Sequence, residues 1–134
     1  MGRDKTLMAM AAVVLVHLGV MLAHGSAHAS ARVDLPPAAL AFVAVVIGIG
    51  PLAGLAWTLR NPRAGARLVG VTMAASLLFG LVNHFVIPGA DHVAHVAGPS
   101  RALFGATAAL LVITEAAGAA LGLAHGWRPA RRLA

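Results

Sequence analysis

The sequence predicts an all-α integral membrane protein, a bundle of four transmembrane helices with both termini in the cytoplasm. Of the 134 residues, 60% are hydrophobic and only 10% are charged, and the charged residues lie in short stretches between long apolar segments. A soluble domain carries roughly 25% charged residues. Because long apolar segments are costly in water and favourable in lipid, we expect the chain to lie in a membrane.

Four apolar segments divide what we expect to be a single transmembrane domain, residues 1–134. Each has about 20 residues, the length needed to cross ~30 Å of hydrocarbon. None shows the alternating polarity of a membrane barrel strand, so each is predicted to be a helix. Their approximate bounds are 6–27, 37–59, 67–88 and 102–124.

Prolines indicate how the second segment begins, bends and ends. Pro36-Pro37 suits the start of a helix, where a missing N–H costs little. Pro51 lies inside the segment beside several glycines and predicts a kink. Asn61-Pro62 favours a tight turn directly after the segment. The second and third helices are therefore expected to be antiparallel neighbours.

Basic residues predict the orientation. Two of the ten, Arg32 and Arg101, lie in the loops after the first and third segments. By the positive-inside rule, the side with the other eight faces the cytoplasm and these two loops face the periplasm of a bacterial inner membrane. The net charge of +6 does not indicate nucleic acid, because the basic residues form no face with interleaved aromatic residues. The eight are Arg3, Lys5, Arg60, Arg63, Arg67, Arg128, Arg131 and Arg132.

The first segment has an alternative interpretation as a secretory signal peptide. Basic residues precede an apolar run, and Ala27-His28-Ala29 has the small-residue spacing of a cleavage site. The run Leu7–Ala23 has 17 residues, however, and is longer than the usual 7–15 of a signal. We therefore expect a retained helix. Cleavage would leave three helices and remove half of the site described next.

Histidines form one stripe on the first helix. The chain has seven histidines, and steps of seven and four residues separate His17, His24 and His28. At 100° per residue, these three lie within about 40° of one another on a helix. His24 and His28 would form an i,i+4 pair at the periplasmic end if the helix continues past Ala23.

A second cluster follows the third segment at the same predicted depth. His84, Asp91 and His95 repeat the steps of seven and four, and His92 lies beside them. Neutral imidazoles and a carboxylate are ligands for Zn, Cu or Fe. The sequence therefore predicts a periplasmic site for a transition metal or for haem iron. Its principal ligands would be His24, His28, His84 and His95, with Asp91 and His92 as second choices.

Two forms of this site remain open. A bare Cu, Zn or Fe ion needs only a cluster of imidazoles, and Met21 could add a soft ligand. A b-type haem would be held by His24 and His84, which suggests electron transfer with a quinone or a partner subunit. The absence of cysteine excludes thiolate ligands and disulfides.

The two histidine pairs loosely resemble the histidine boxes of membrane di-iron desaturases and hydroxylases. The resemblance covers His24-Gly-Ser-Ala-His28 and His92-Val-Ala-His95. Those families have longer chains and an HxxHH box, whereas Val96 follows His95 here. Their activity is therefore not carried over to this chain.

Two ionisable residues lie deep in the predicted bundle. His17 is near the middle of the first segment, and Glu115 is near the middle of the fourth. An ionisable group in hydrocarbon is costly, which makes it a candidate for function, although a neutral Glu115 could equally serve as packing glue. Because the two residues lie at similar depth, they are predicted to pair.

A different class of function remains open beside metal binding. The chain could be a non-catalytic accessory subunit of a larger membrane complex, or a homo-oligomer, with its histidines and Glu115 structural or linked to protons. No nucleotide-binding loop, Ser-His-Asp order or HExxH motif is present. Whether the protein is an enzyme therefore stays open at this level.

Overall fold

The computed structural model describes residues 3–127, and every regular element among them is helical. Four helices are long and apolar enough to cross a membrane, which confirms the all-helical prediction. Three of the eight basic residues that predict the orientation, Arg128, Arg131 and Arg132, lie outside the described residues. The helices are α1 (Arg3–Ala31), α2 (Pro37–Trp57), α3 (Pro62–Val86) and α4 (Arg101–Gly126).

The α3 helix begins at Pro62, ahead of the predicted start at residue 67. The side chain of Asn61 accepts a hydrogen bond from the backbone N–H of Ala64 at 3.1 Å, and Pro62 occupies the first turn. A capped N-terminus followed by proline is a favourable start, because the side chain satisfies an otherwise unpaired backbone N–H. The turn between α2 and α3 is correspondingly short.

Two helices contain π-helical segments. In α2, residues Val43–Ile49 are π-helical and lie directly before Gly50 and Pro51, so the irregularity predicted near this proline is a change of helix type. In α3, the last five residues, Val82–Val86, are also π-helical. Such segments widen a helix locally and are frequent at functional sites.

At the end of the bundle where α1 begins and α4 ends, here called the terminal end, the helices approach closely at glycines. A Cβ atom added to Gly54 would lie 2.7 Å from the backbone nitrogen of Val69, and one added to Gly70 would lie 2.6 Å from that of Leu123. Real Cβ atoms do not come so close, so only glycine fits. A core of buried side chains fills the remaining space: Met10, Val14, Ala66, Val69, Met73 and Ala119.

The opposite end, here called the loop end, consists of the loops 32–36 and 87–100 and the helix ends beside them. A smaller apolar cluster lies there, formed by Ala27, Val96 and Phe104. A cavity of about 480 Å³, here called the chamber, is lined by residues from all four helices and from both loops.

Candidate metal centre

Three histidines from two helices meet at the loop end. Because α1 continues to Ala31, His24 and His28 lie one turn apart on the same helix. His84 comes from the π-helical end of α3. One ring nitrogen from each residue lies within 4.8 Å of the other two, and the three residues are only 5–9% exposed. These three buried histidines are close enough to hold a metal ion.

The ring of His28 is oriented by the chain that leaves α1. Its Nδ1 lies 3.1 Å from the carbonyl oxygen of Val33, and the backbone N–H of Val33 donates back to the carbonyl of His28 at 3.0 Å. A carbonyl oxygen only accepts, so Nδ1 must carry the hydrogen. In the neutral ring, Nε2 is then an unprotonated nitrogen with a free lone pair.

The ring of His84 is oriented by the loop after α3. Its Nδ1 lies 3.0 Å from the carbonyl oxygen of Asp91, and the backbone N–H of Val93 donates to the carbonyl of His84 at 3.0 Å. The loop therefore folds back onto the end of α3. As in His28, the hydrogen is on Nδ1 and the lone pair is on Nε2.

The ring of His24 is oriented from α4. Its Nδ1 lies 2.8 Å from the hydroxyl oxygen of Thr107, and this hydroxyl lies 2.7 Å from the carbonyl oxygen of Leu103. The single hydroxyl hydrogen is donated to Leu103, so the oxygen accepts from the Nδ1–H of His24. The Nε2 atom of His24 is thus also left with a free lone pair.

In the neutral rings, the Nε2 atoms of His24 and His84 therefore face each other 3.1 Å apart, a hydrogen-bond distance at which two lone pairs would repel. Nδ1–H groups held by carbonyl or hydroxyl acceptors, with Nε2 directed to a common point, are typical of metal-ligating histidines.

Asp91 places a carboxylate beside the same cluster. Its Oδ1 lies 3.2 Å from Nε2 of His28 and 3.2 Å from Nδ1 of His84. Burial raises the pKa of Asp91, but the hydrogen bond from His84 and the neighbouring imidazoles outweigh burial and leave the pKa below its usual value. The carboxylate is therefore the favoured form, and it lies beside Nε2 of His28.

Phe104 packs against all three imidazoles. Its ring centroid lies 4.8 Å from those of His24 and His28 and 5.6 Å from that of His84, and Phe104 is fully buried. Phe104 and Thr107 are three residues apart and share a face of α4. Phe104 was not among the residues predicted from the sequence, because an apolar side chain in an apolar segment carries no signal of its own.

The structure does not bring the other two predicted ligands into this cluster. Nδ1 of His95 lies 2.8 Å from the carbonyl of Gly89, so His95 stays exposed within its own loop. Nδ1 of His92 accepts from the N–H of Ala94 at 3.2 Å. The rings of His92 and His95 lie 5.0 Å apart and contact each other.

The predicted pair of His17 and Glu115 is not formed. Nε2 of His17 lies 3.2 Å from the carbonyl oxygen of Ile47, four residues before Pro51. Since Pro51 has no N–H, this carbonyl lacks its α-helical partner and is available to His17. Glu115 instead lines the chamber, and its Oε2 is buried without a hydrogen-bond partner among the described residues. Similar depth in the sequence did not establish a contact.

The chamber extends from the histidine cluster toward the middle of the bundle. It is lined by His24, His28, His84 and Asp91, and also by Glu115, which lies eight residues beyond Thr107 on α4. Eight helical residues span about 12 Å along the axis. Met21, the candidate soft ligand, also lines this space. No protein-family model, curated protein or solved structure matches the chain.

Proposed function

We propose that this chain is a membrane protein that binds one divalent transition-metal ion through Nε2 of His24, His28 and His84. Asp91 is the fourth ligand in this proposal. The observation that carries it is the 3.1 Å contact between the Nε2 atoms of His24 and His84, whose Nδ1 atoms both lie against oxygen atoms. In the neutral rings the two Nε2 lone pairs would repel, and a cation between them turns that repulsion into coordination.

The distances support a small ion. Zn–N bonds are about 2.0–2.1 Å long, so two nitrogen ligands of a tetrahedral site lie ~3.3 Å apart. The observed 3.1 Å between Nε2 atoms is close to this value. A haem iron would instead hold its two axial nitrogens on opposite faces of a macrocycle, ~4 Å apart. The geometry therefore favours a bare ion over a haem held by His24 and His84.

A proton is the competing occupant of the same contact. One proton would satisfy the pair His24–His84, but the contact of 3.2 Å between Nε2 of His28 and Asp91 would need a second one. A single divalent ion satisfies both contacts and is balanced in part by the carboxylate. Metal binding is therefore the simpler account of this cluster.

The ligand set favours borderline metals. Imidazole suits Zn, Cu, Fe and Ni, and a carboxylate favours a divalent ion over Cu(I). Zn²⁺ accepts a tetrahedral set of three histidines and one carboxylate without strain. We infer a role in metal handling at the periplasmic face of a bacterial inner membrane. If the bound ion proves to be Cu or Fe, the proposed role is electron transfer.

The test is elemental analysis of the untagged, detergent-purified chain, before and after reconstitution with Zn²⁺, Cu²⁺ or Fe²⁺. We expect one ion per chain in the wild type and none in His24→Ala or His84→Ala. The matched control is His95→Ala, which removes an exposed imidazole from the same end and should keep the ion. A wild type that takes up none of the three metals would overturn the proposal, as would full metal content in His24→Ala.

A further inference from the structure

The chamber is larger than a metal site requires. Each water molecule takes ~30 Å³, so an ion with six waters needs about 180 Å³. The chamber has a volume of about 480 Å³. Sites for small organic ligands measure roughly 300–1,000 Å³. The chamber therefore has room for an organic molecule.

The wall of the chamber is apolar and reaches the lipid-facing surface. Leu40 lines the chamber and is nevertheless 53% exposed, so the space lies directly behind the outer surface of α2. No residue in the α-helical start of this helix, Pro37–Phe42, is buried. Phe79 adds an aromatic wall and is held by stacking on Phe42, with ring centroids 4.7 Å apart. An apolar molecule dissolved in the bilayer would reach the chamber at this point.

Glu115 gives the chamber a polar inner end. The residue is 1% exposed, and its Oε2 has no partner among the described residues. No lysine or arginine lines the chamber, so no permanent positive charge from the described chain pairs with this carboxyl. A buried polar atom without a partner costs free energy, and a hydroxyl donor would remove that cost.

We propose that the chamber binds a neutral, lipid-soluble hydroxyaromatic molecule of the hydroquinone class, with one hydroxyl donating to Glu115. The aromatic body packs against Phe79 and the aliphatic wall. A neutral ligand fits because a charge at the depth of these helices is costly. The proposal goes beyond metal binding and does not depend on it, since the hydroxyl contact is to Glu115 and not to a ring nitrogen of the three histidines.

Gly80 keeps the inner end of the chamber open. A Cβ atom added there would lie 3.6 Å from Oε2 of Glu115 and 3.9 Å from Cδ2 of His84, so one methyl group fits at contact distance. The larger side chain of valine would extend into the chamber. Gly80→Val therefore tests whether the ligand needs the volume of the chamber. Glu115→Leu tests whether it needs the hydrogen bond to the carboxyl group.

The experiment measures the shift in Tm of the metal-free, detergent-purified chain with two probes. Tetramethylhydroquinone has both hydroxyls, and tetramethylbenzene is the same ring without them. We expect tetramethylhydroquinone to stabilise the wild type in a saturable way. Glu115→Leu should weaken its binding about tenfold, which corresponds to the loss of one buried hydrogen bond, without weakening that of tetramethylbenzene. Gly80→Val should abolish the binding of both.

The control is Thr114→Val, which removes the neighbouring hydroxyl of α4 that bonds only within its own helix. Its affinity for both probes should equal that of the wild type. The proposal is overturned if neither probe gives a saturable shift in the wild type. Equal binding of tetramethylhydroquinone by wild type and Glu115→Leu would overturn it as well. Because the protein is metal-free, neither result bears on the metal site.

Discussion

The terminal end and the loop end of the bundle are packed by different means. At the terminal end, backbones of neighbouring helices touch at Gly54 and Gly70, and apolar side chains fill the remaining space. At the loop end, three buried imidazoles and the chamber lie among the helices instead. The comparison shows close helix contacts where small residues face one another, and a cavity where polar side chains are buried.

The helix types follow the same division. Both π-helical segments, Val43–Ile49 and Val82–Val86, contribute residues to the wall of the chamber. The terminal end of α2 and the corresponding half of α3 are α-helical. A π-helical turn displaces the residues after it relative to an α-helix. In α3, His84 lies within such a segment and its Nε2 faces that of His24, so the irregular backbone carries one of the three histidines.

The largest expected effect is a loss of stability caused by a backbone clash at the terminal end. In Gly70→Val, the added Cβ would lie 2.6 Å from the backbone nitrogen of Leu123, and backbone cannot move aside as a flexible side chain can. Overpacking typically costs 1–3 kcal/mol, and a backbone clash is expected at about 3 kcal/mol or more. We expect a large fall in Tm and in the yield of folded protein. The measurement is thermal unfolding in detergent.

Gly19→Ala is the matched control for that substitution. A Cβ atom at Gly19 meets nothing within 4 Å, so alanine adds no clash. Alanine favours a helix over glycine by up to ~1 kcal/mol, and the variant should be as stable as the wild type or slightly more stable. Equal falls in Tm in both glycine variants would show that close backbone packing at Gly70 is not the cause of the lost stability.

The fold could be predicted further than the site. Four long apolar segments separated by prolines and basic residues are sufficient to predict four helices, because hydrocarbon tolerates few alternatives. Helix type could not be predicted, since a π-helical segment depends on what packs against it. His17 illustrates the limit: its partner is the carbonyl of Ile47. Depth along the membrane does not tell which helix a side chain meets.

Within the site, the relative positions of residues on one regular helix could be predicted from the sequence, whereas the positions of residues in a loop could not. The i,i+4 spacing of His24 and His28 on one helix could be read from the sequence, whereas depth gave only the level of His84 and not its contact with His24. His95 has an equally suggestive spacing, but the loop turns its ring to the carbonyl of Gly89. Asp91 lies in the same loop and reaches the cluster. The conformation of the loop decides which of these two residues reaches the cluster, and spacing in the sequence does not predict that conformation.

An intermediate effect is expected on metal affinity when the partner that orients His24 at the loop end is removed. Thr107→Val removes the acceptor that orients the Nδ1–H of His24, while keeping the shape of the side chain. Loss of such a hydrogen-bond partner typically costs 10–100-fold in metal affinity. We expect about a tenfold weaker affinity for Zn²⁺, measured by competition with a chromophoric chelator. Thr114→Val serves as the control, since its hydroxyl bonds only to carbonyls of its own helix. Equal affinities in the two variants would contradict the assigned orientation of His24.

The smallest expected effect concerns the pH dependence of the loop end. The pKa of Asp91 is lower in the folded chain than the ordinary value of about 3.9, so its carboxylate favours folding above about pH 4. This contribution is lost as the pH falls through the lower, folded-state pKa. In metal-free protein, Tm should therefore fall more steeply between about pH 5 and 3 in the wild type than in Asp91→Asn, which has no carboxyl to protonate. The effect is small because the carboxylate is partly exposed and screened by solvent. The two proteins differ only at this carboxyl, so the difference between the two curves reports the protonation linked to it. Parallel curves would mean that its carboxylate does not hold the loop against His28 and His84.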